Sequence, residues 1–358
     1  MRKNIIAHSK HGGDIYRHNI ASDFSVNINP LGMHPHIMKT LQKSIGECSH
    51  YPDDLCEQLT RELAGKLGLR TTQIVCGNGA SDLFMGIVHA LQPKKAVLFA
   101  PSFYGYTYVL GAVSCRLQYE MLLEEEHFQI RKDCVNRIAP DTDMIFLCVP
   151  NNPTGVLPDQ EVIVTILEHC KQYDITVVYD QCFLEFTGKY QELNGEQFLA
   201  QYQNLIVVNA FTKTYAIPGI RLGYACAGEE MIQRISGQLA EWRVSIPAMA
   251  AGEAALWVEQ HTDYLERTRT LLEEEKQYMM DELGKAGLKF FPSDADYMLL
   301  KSRLPLYEEL LKRGILIRSC GNYVGLSEDF YRIALKSHEE NQRLIKALWD
   351  IMQEMNEK

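Results

Sequence analysis

The sequence predicts an α/β fold in which a mostly parallel central sheet is flanked by helices and joined to a smaller α+β domain. Three observations predict it. From about residue 70 to 230, short β-rich apolar runs alternate with longer helical patterns, and each run closes in polar or Gly/Pro residues. After Pro247 the pattern becomes helical and then returns to short apolar runs. The chain has 358 residues, 46% hydrophobic and 23% charged, enough apolar side chain for a large core or two unequal domains and a poor match to disorder. The expected division is an N-terminal segment over 1–45 packing on the small domain, a large domain over 46–240 and a small domain over 241–358.

Residues 1–45 show no long periodic element, so they are expected to wrap onto the small domain. The apolar runs at 74–76, 96–100, 144–148, 176–179, 205–208 and 222–225 are apolar on both faces and separated by helices, as in a parallel sheet covered on both sides. Ligands of such sheets sit at the carboxyl ends of the strands. Beyond Pro247, one long helix is expected, with Leu265, Leu272 and Met279 at heptad spacing as core and an end near Gly284 and Gly287. Runs at 297–300, 315–317 and 331–335 complete the smaller domain.

Composition excludes several functions. Thirty-six Lys and Arg against 46 Asp and Glu leave a formal charge of −10, which would repel a phosphodiester backbone. No stretch reaches the ~20 apolar residues that span a bilayer, and the start Met1-Arg2-Lys3-Asn4 leads into no apolar signal core. Ten cysteines lie singly between Cys48 and Cys320 without a Cys-x-x-Cys pair, so reduced thiols in a cytoplasm are expected. The acidic runs at 124–126 and 273–275 read as solvated faces. His8, His11, His18, His34 and His36 lack ligand spacing, and no metal is expected.

The chemistry gathers where strands end. After the first run comes Gly77-Asn78-Gly79-Ala80-Ser81-Asp82 and then a helical pattern. Free N–H groups of a helix start, with the Ser81 hydroxyl, make an anion pocket. A dinucleotide fold would want a third glycine where Asp82 stands and an acidic residue closing the next strand, which instead ends Ala100-Pro101-Ser102-Phe103. A phosphate monoester site is therefore the sharper reading, with a plain tight turn as its alternative. The run ending at Val149 meets Pro150-Asn151-Asn152-Pro153-Thr154-Gly155, a rigid turn able to face an Asn amide to the crevice. Asp180 closes four apolar residues and must reach solvent or a cation. The following strand delivers Thr212-Lys213, then Pro218-Gly219-Ile220-Arg221. A lone lysine is ordinarily a surface residue. Together, however, the phosphate pocket, amide turn, carboxylate, amine and guanidinium describe a site for an aldehyde carrying a phosphate and a basic ring nitrogen. Pyridoxal 5'-phosphate is that molecule.

With these residues the sequence resembles the fold-type I pyridoxal phosphate enzymes of aminotransferase class I/II. The resemblance runs from His11-Gly12-Gly13 and the stretch Asp23 to Gly32, through Tyr51-Pro52-Asp53, Gly77 to Ser81, Asn151 to Gly155 and Thr212 to Tyr224, to Ile317-Arg318-Ser319-Cys320 and Arg332-Ile333-Ala334-Leu335. Within the family it is most similar to the threonine-phosphate decarboxylases of cobalamin biosynthesis, with histidinol-phosphate aminotransferases as near relatives.

The resemblance implies catalytic roles for Lys213, which condenses with the cofactor aldehyde and then shuttles protons, and for Asp180, which pairs with the ring N–H. It implies that Asn152 bonds the ring's phenolic oxygen and Phe103 stacks on the ring. Gly79, Ala80, Ser81, Thr212 and Arg221 form the phosphate cradle. Tyr51 reaches into the neighbouring subunit's site, which makes the enzyme a homodimer. Arg332 clamps the substrate carboxylate, and Arg318, Asn29, Lys336 and His11 complete the substrate site.

Several positions depart from the family. Phe183 removes the hydroxyl that many aminotransferases place beside Asn152, as the decarboxylases also tend to do. Ser245 and Asp296 stand where Asn is common, and Lys336 replaces an arginine typical of the decarboxylases. The implied reaction is decarboxylation of L-threonine O-3-phosphate to aminopropanol phosphate; the alternative is amino transfer of the histidinol-phosphate type. Arrangement of the bonds at the α-carbon decides between them.

Overall fold

The computed structural model describes residues 11–356, so His8 lies outside the described residues. A two-residue strand β1 (Ser22–Asp23) and helices α1 (Pro35–Ser44) and α2 (Glu57–Leu67) precede the main sheet. Its strands are β2 (Ile74–Gly77), β3 (Lys95–Ala100), β4 (Arg116–Met121), β5 (Met144–Cys148), β6 (Thr176–Asp180), β7 (Leu205–Ala210) and β8 (Gly223–Cys226). Between them run α3 (Ala80–Leu91), α4 (Tyr104–Ala112), α5 (Gln160–Gln172) and two one-turn helices, α6 (Tyr190–Leu193) and α7 (Phe211–Thr214). The strand order is β2-β8-β7-β6-β5-β3-β4. All neighbours are parallel except β8, which runs against both β7 and β2. The central strands bury every residue of 144–148 and 205–210, and each such Val or Ile stabilises the fold by roughly 1.5–3 kcal/mol.

The six apolar runs expected between residues 74 and 225 fall on strands of this sheet. The sheet also contains β4, whose Arg-Leu-Gln-Tyr-Glu-Met sequence shows no apolar run because it forms a half-covered edge. The expected single long helix is two: α9 (Ile246–His261) and α10 (Tyr264–Lys285), preceded by α8 (Glu229–Ser236). Thr262 breaks them, since its backbone is extended and its hydroxyl donates to the Val258 carbonyl and accepts from the Tyr264 N–H. Leu272 and Met279 are buried, and Leu265 packs against the main core.

A second sheet follows, ordered β12-β13-β10-β9, from β9 (Lys289–Phe291), β10 (Tyr297–Lys301), β12 (Arg318–Ser319) and β13 (Phe330–Ala334). The two-residue β11 (Ile315–Leu316) pairs in parallel with β1, and α11 (Leu306–Lys312) and α12 (His338–Asn356) cover this part of the molecule. Phe24 donates its N–H to the Leu316 carbonyl and accepts from Ala334, so the stretch around β1 lies against this second unit, while Ile37 and Leu41 further along the N-terminal segment join the main-sheet core. It also carries α1, a ten-residue helix with a Pro start that a search for long periodic elements passes over. Helices α1 and α9 pack together, and the buried alanines of α9 join the main-sheet core although they follow residue 241.

Candidate active site

The carboxyl ends of β5 and β6 are level, and β7 runs two residues further. Cys148 is the register partner of Asp180, and Asp180 that of Val208. Beyond this row lies a cavity of about 220 Å³. Eleven of the expected site residues line it: His11, Ala80, Ser81, Phe103, Asn152, Asp180, Thr212, Lys213, Arg221, Arg318 and Arg332.

At one end, α3 begins at Ala80 and its N-cap is Gly79, with φ +79°. A Cβ on Gly79 would stand 2.5 Å from Arg221 Nη2, so only glycine lets that guanidinium reach the helix start. Arg221 itself has φ +62° and donates from Nη1 to the Pro218 carbonyl at 3.1 Å. Asp82, at the position where a dinucleotide loop would have glycine, accepts from the Asn78 N–H at 2.9 Å and closes the loop. Helix-start N–H groups, a guanidinium and the Thr212 and Ser81 side chains therefore converge on one anion-sized place.

Asp180 is buried. Its Oδ2 accepts from Tyr106 Oη at 2.6 Å and its Oδ1 from the Cys182 N–H at 3.0 Å. Burial raises its carboxyl above the ordinary range, against the lowering effect of these bonds. A buried carboxylate of this kind favours a cationic N–H partner. Lys213 sits on α7, the turn that follows β7, and burial lowers its amine below the ordinary lysine value. A lysine so shifted is neutral more often and is a better nucleophile.

The Asn151 to Gly155 turn is locked from both sides. Asn151 Nδ2 donates to the Pro101 carbonyl and to Thr154 Oγ1, and Tyr297 Oη donates to the Asn151 carbonyl at 3.0 Å. A Cβ on Gly155, φ +75°, would collide with Ser293 Oγ. The neighbouring Asn152 is left to the cavity, where its Oδ1 accepts from Arg332 Nη1 at 2.6 Å. Arg332 Nη2 donates to the Ser25 carbonyl at 2.7 Å.

Arg332 on β13 is directly opposite Arg318 on β12, and both side chains are buried. Arg318 donates to the Ser319 carbonyl and to Asn322 Oδ1, and lies over the Tyr323 ring. Two like charges facing each other across antiparallel strands repel unless anions come between or beside them. His11, whose ring is 6.0 Å from that of Phe103, lines the same cavity.

Three expected residues are elsewhere. Asn29 does not meet the cavity: its Nδ2 donates to the Thr214 carbonyl and to Thr268 Oγ1, both at 2.8 Å, and its backbone N–H to the Lys213 carbonyl at 3.1 Å. It holds the lysine turn in place rather than facing substrate. Lys336 pairs with Glu340 at 3.6 Å, over the Phe24 ring. Tyr51 is 78% exposed and meets the exposed Trp242 at a tilt of 37°, with ring centres 4.6 Å apart.

Tyr106, the partner of Asp180, was not expected. Helical tyrosines read as core, but its spacing three residues beyond Phe103 put both rings on one face. Ser25, Asn27, Cys182, Phe183 and Tyr323 also line the cavity. Among the described residues, no group of three His, Cys, Asp or Glu could hold a metal ion, and no helix is long and apolar enough to cross a membrane.

The model of the aminotransferase class I and II family matches residues 20–348. Threonine-phosphate decarboxylase of Salmonella typhimurium is 33% identical over 92% of this chain and 91% of its own length. Among solved structures, histidinol-phosphate aminotransferase from Clostridium acetobutylicum superposes with a TM-score of 0.85 at 28% identity, covering 93% of this chain and 99% of that one. L-threonine-O-3-phosphate decarboxylase from Porphyromonas gingivalis does so with a TM-score of 0.82 at 25% identity, covering 92% and 99%.

Proposed function

The chain belongs to the aminotransferase class I and II family, and we propose that it is a pyridoxal 5'-phosphate-dependent carboxy-lyase that decarboxylates L-threonine O-3-phosphate to aminopropanol phosphate. The cavity fits that cofactor. Gly79, Ala80, Ser81, Thr212 and Arg221 would hold its phosphate, Asp180 its ring nitrogen, Asn152 its phenolic oxygen, Phe103 its ring face and Lys213 its aldehyde carbon. The gap between Gly79 and Arg221, which a single Cβ would fill, and the buried Asp180 carboxylate are the features that a phosphate and a ring N–H would use. When bound, the cofactor supplies an electron-accepting ring that weakens the bonds at a substrate's α-carbon.

The observation that carries the substrate is the buried, register-matched pair Arg318 and Arg332. L-Threonine O-3-phosphate brings two anions, a carboxylate and a phosphate, to two guanidinium groups. Arg332 orients the carboxylate, Arg318 meets the phosphate with help from His11, and Lys213 supplies the proton that replaces the lost carboxylate. Phe183 leaves the phenolic oxygen to Asn152 alone on that side. Asn29 supports the Lys213 turn from behind, and Lys336 lies over the Phe24 ring of the N-terminal segment.

We assign Tyr51, with Trp242, to a subunit contact that completes the cofactor site of a homodimer; their exposed, touching rings support this. The free thiols of all ten cysteines suit a reducing cytoplasm. Residues 46–240 and 241–358 are the working domain division, with α9 packed on the larger part.

Incubation with pyridoxal phosphate and O-phosphothreonine, O-phosphoserine or histidinol phosphate, with and without 2-oxoglutarate, tests the reaction. Release of CO2 from O-phosphothreonine without any keto acid is expected. Amino transfer to 2-oxoglutarate with no CO2 from either phosphorylated amino acid would instead assign the aminotransferase reaction, for which the same cofactor residues serve.

A further inference from the structure

Ser25 lies between the two parts of the cavity that would meet the anions of the substrate. Its backbone is held by three bonds. Phe24 donates its N–H to the Leu316 carbonyl at 2.7 Å and accepts from the Ala334 N–H at 2.9 Å, and Ser25 donates its own N–H to Asp23 Oδ1 at 2.9 Å. Ala334 stands two residues beyond Arg332 on β13, so this docking sets the buried Ser25 carbonyl where it accepts from Arg332 Nη2 at 2.7 Å. Asn152 Oδ1 takes Nη1 of the same guanidinium. Both acceptors are neutral, so they fix the direction of Arg332 without cancelling the charge that a carboxylate would seek.

The Ser25 side chain holds a different part of the chain. Its hydroxyl donates to Asp23 Oδ1 at 2.6 Å and accepts from the Gly13 N–H at 2.7 Å. A hydroxyl, with one donor and two lone pairs, serves both partners at once; a methyl group serves neither. The segment seated in this way passes very close. A Cβ on Gly12 would stand 2.1 Å from the Ser25 carbonyl oxygen, and Gly13 has φ +88°, so both positions call for glycine. His11, Gly12, Ser25 and Arg332 all line the cavity.

We propose that Ser25 is a positioning residue that sets substrate specificity: its hydroxyl seats His11-Gly12-Gly13 at the end of the cavity that receives a substrate phosphate, while its carbonyl separately directs Arg332 to the carboxylate. This rests on the substrate reading given above. Because one role belongs to the side chain and the other to the main chain, substitution separates them. Ser25→Ala removes the hydroxyl and keeps the carbonyl, so it acts on the phosphate end alone.

Hydrogen–deuterium exchange of the full chain, without added cofactor, tests the seating directly. The Gly13 amide should exchange several-fold faster in Ser25→Ala than in wild type, and unchanged exchange overturns the proposal. Two ligands of the holoenzyme, followed by the change in cofactor absorbance, test the specificity. O-Phosphoethanolamine offers an amine and a phosphate without a carboxylate; L-threonine offers an amine and a carboxylate without a phosphate. In Ser25→Ala the Kd for O-phosphoethanolamine should rise about 3- to 10-fold, as for one lost hydrogen bond, and that for L-threonine by less than about twofold. Equal weakening of both ligands would be a general structural effect and overturns the proposal, as does unchanged binding of O-phosphoethanolamine. Should Ser25→Ala not fold, Gly12→Ala displaces the segment from the other side; it should weaken O-phosphoethanolamine at least as much, and unchanged binding there overturns the proposal as well. The underlying reading fails on different evidence, namely wild type that releases no CO2 from O-phosphothreonine, or a borohydride-reducible cofactor adduct that persists in Lys213→Ala.

Discussion

The two walls of the cavity carry their charged groups differently. On the main-sheet wall, Asp180 ends a strand paired on both sides and Lys213 follows the next strand within one turn. Their positions follow from the strand ends of a buried parallel sheet. On the other wall, Arg318 belongs to a strand of two residues, and Arg332 is oriented by a neutral carbonyl from the N-terminal segment and an amide from the Asn152 turn. That wall is assembled from three separated parts of the chain, and each can change without disturbing the sheet. The contrast sharpens the proposed division of labour: the main-sheet wall, the rigid wall, would serve the cofactor, and the assembled wall would select the substrate and the bond.

Breaking the rigid wall should have the largest effect. Lys213→Ala removes the amine proposed to condense with the aldehyde, and the borohydride-reducible adduct should disappear, with turnover down by at least ~10³-fold. Retention of the adduct would place the attachment elsewhere.

Substitutions in the assembled wall should leave that adduct intact and act on substrate. Arg332→Met and Arg318→Met each remove a buried guanidinium, a change that typically costs 2–5 kcal/mol when its partner is a charged group, or about 30- to 5000-fold in kcat/KM. Arg332→Met should lose activity toward every α-amino acid substrate. Arg318→Met should discriminate, losing O-phosphothreonine turnover while binding of pyridoxal phosphate is kept. Loss of cofactor binding in either variant would mean that the walls are not separate.

The same contrast explains what could be read from the amino acids alone. Strand ends of the main sheet were legible because runs apolar on both faces stop abruptly at Gly, Asn, Pro or a charge, as at Gly77 and Asp180. Edge strand β4 was not, since a half-covered strand mixes polar and apolar residues as loops do. Nor was the break between α9 and α10, because Thr262 acts through its hydroxyl rather than by being Gly or Pro. In the site, Asn29 shared a motif with true lining residues, yet a motif does not say whether an amide faces the cavity or the turn behind it. Tyr106 carries no motif at all; only the rotation of α4 turns it toward Asp180.

Behind the rigid wall lies another buried acid, Glu185, whose Oε1 accepts from Asn209 Nδ2 at 2.7 Å while Oε2 has no partner. Burial raises its carboxyl from 4.5 to about 7, with Lys66 and the Asn209 bond opposing. The folded state therefore holds this proton more tightly than the unfolded chain does. Its contribution to stability is full below about 4.5 and falls as pH rises through about 7. Glu185→Gln should remove a decline on the order of 3 kcal/mol between those limits. Urea unfolding of both proteins at about pH 5 and about pH 8 measures it, as the linkage is read from the difference between the two pH values. A variant with the same pH dependence as wild type would show that Glu185 remains ionised on folding.

The smallest expected effect lies outside both walls. Tyr51 is exposed beside Trp242, far too open to be part of a core, and its hydroxyl is therefore available to another copy of the chain. If that hydroxyl completes the neighbour's phosphate site, Tyr51→Phe removes one hydrogen bond to a charged group, typically 1.5–3 kcal/mol, and weakens cofactor retention by at least about tenfold. The ring and its packing remain, so the dimer should persist by analytical ultracentrifugation. Trp242→Ala should instead weaken the dimer, and cofactor retention should then fall with protein dilution. Retention unchanged in Tyr51→Phe, with wild type dimeric, would remove the partner subunit from the rigid wall and leave the cofactor site complete within one chain.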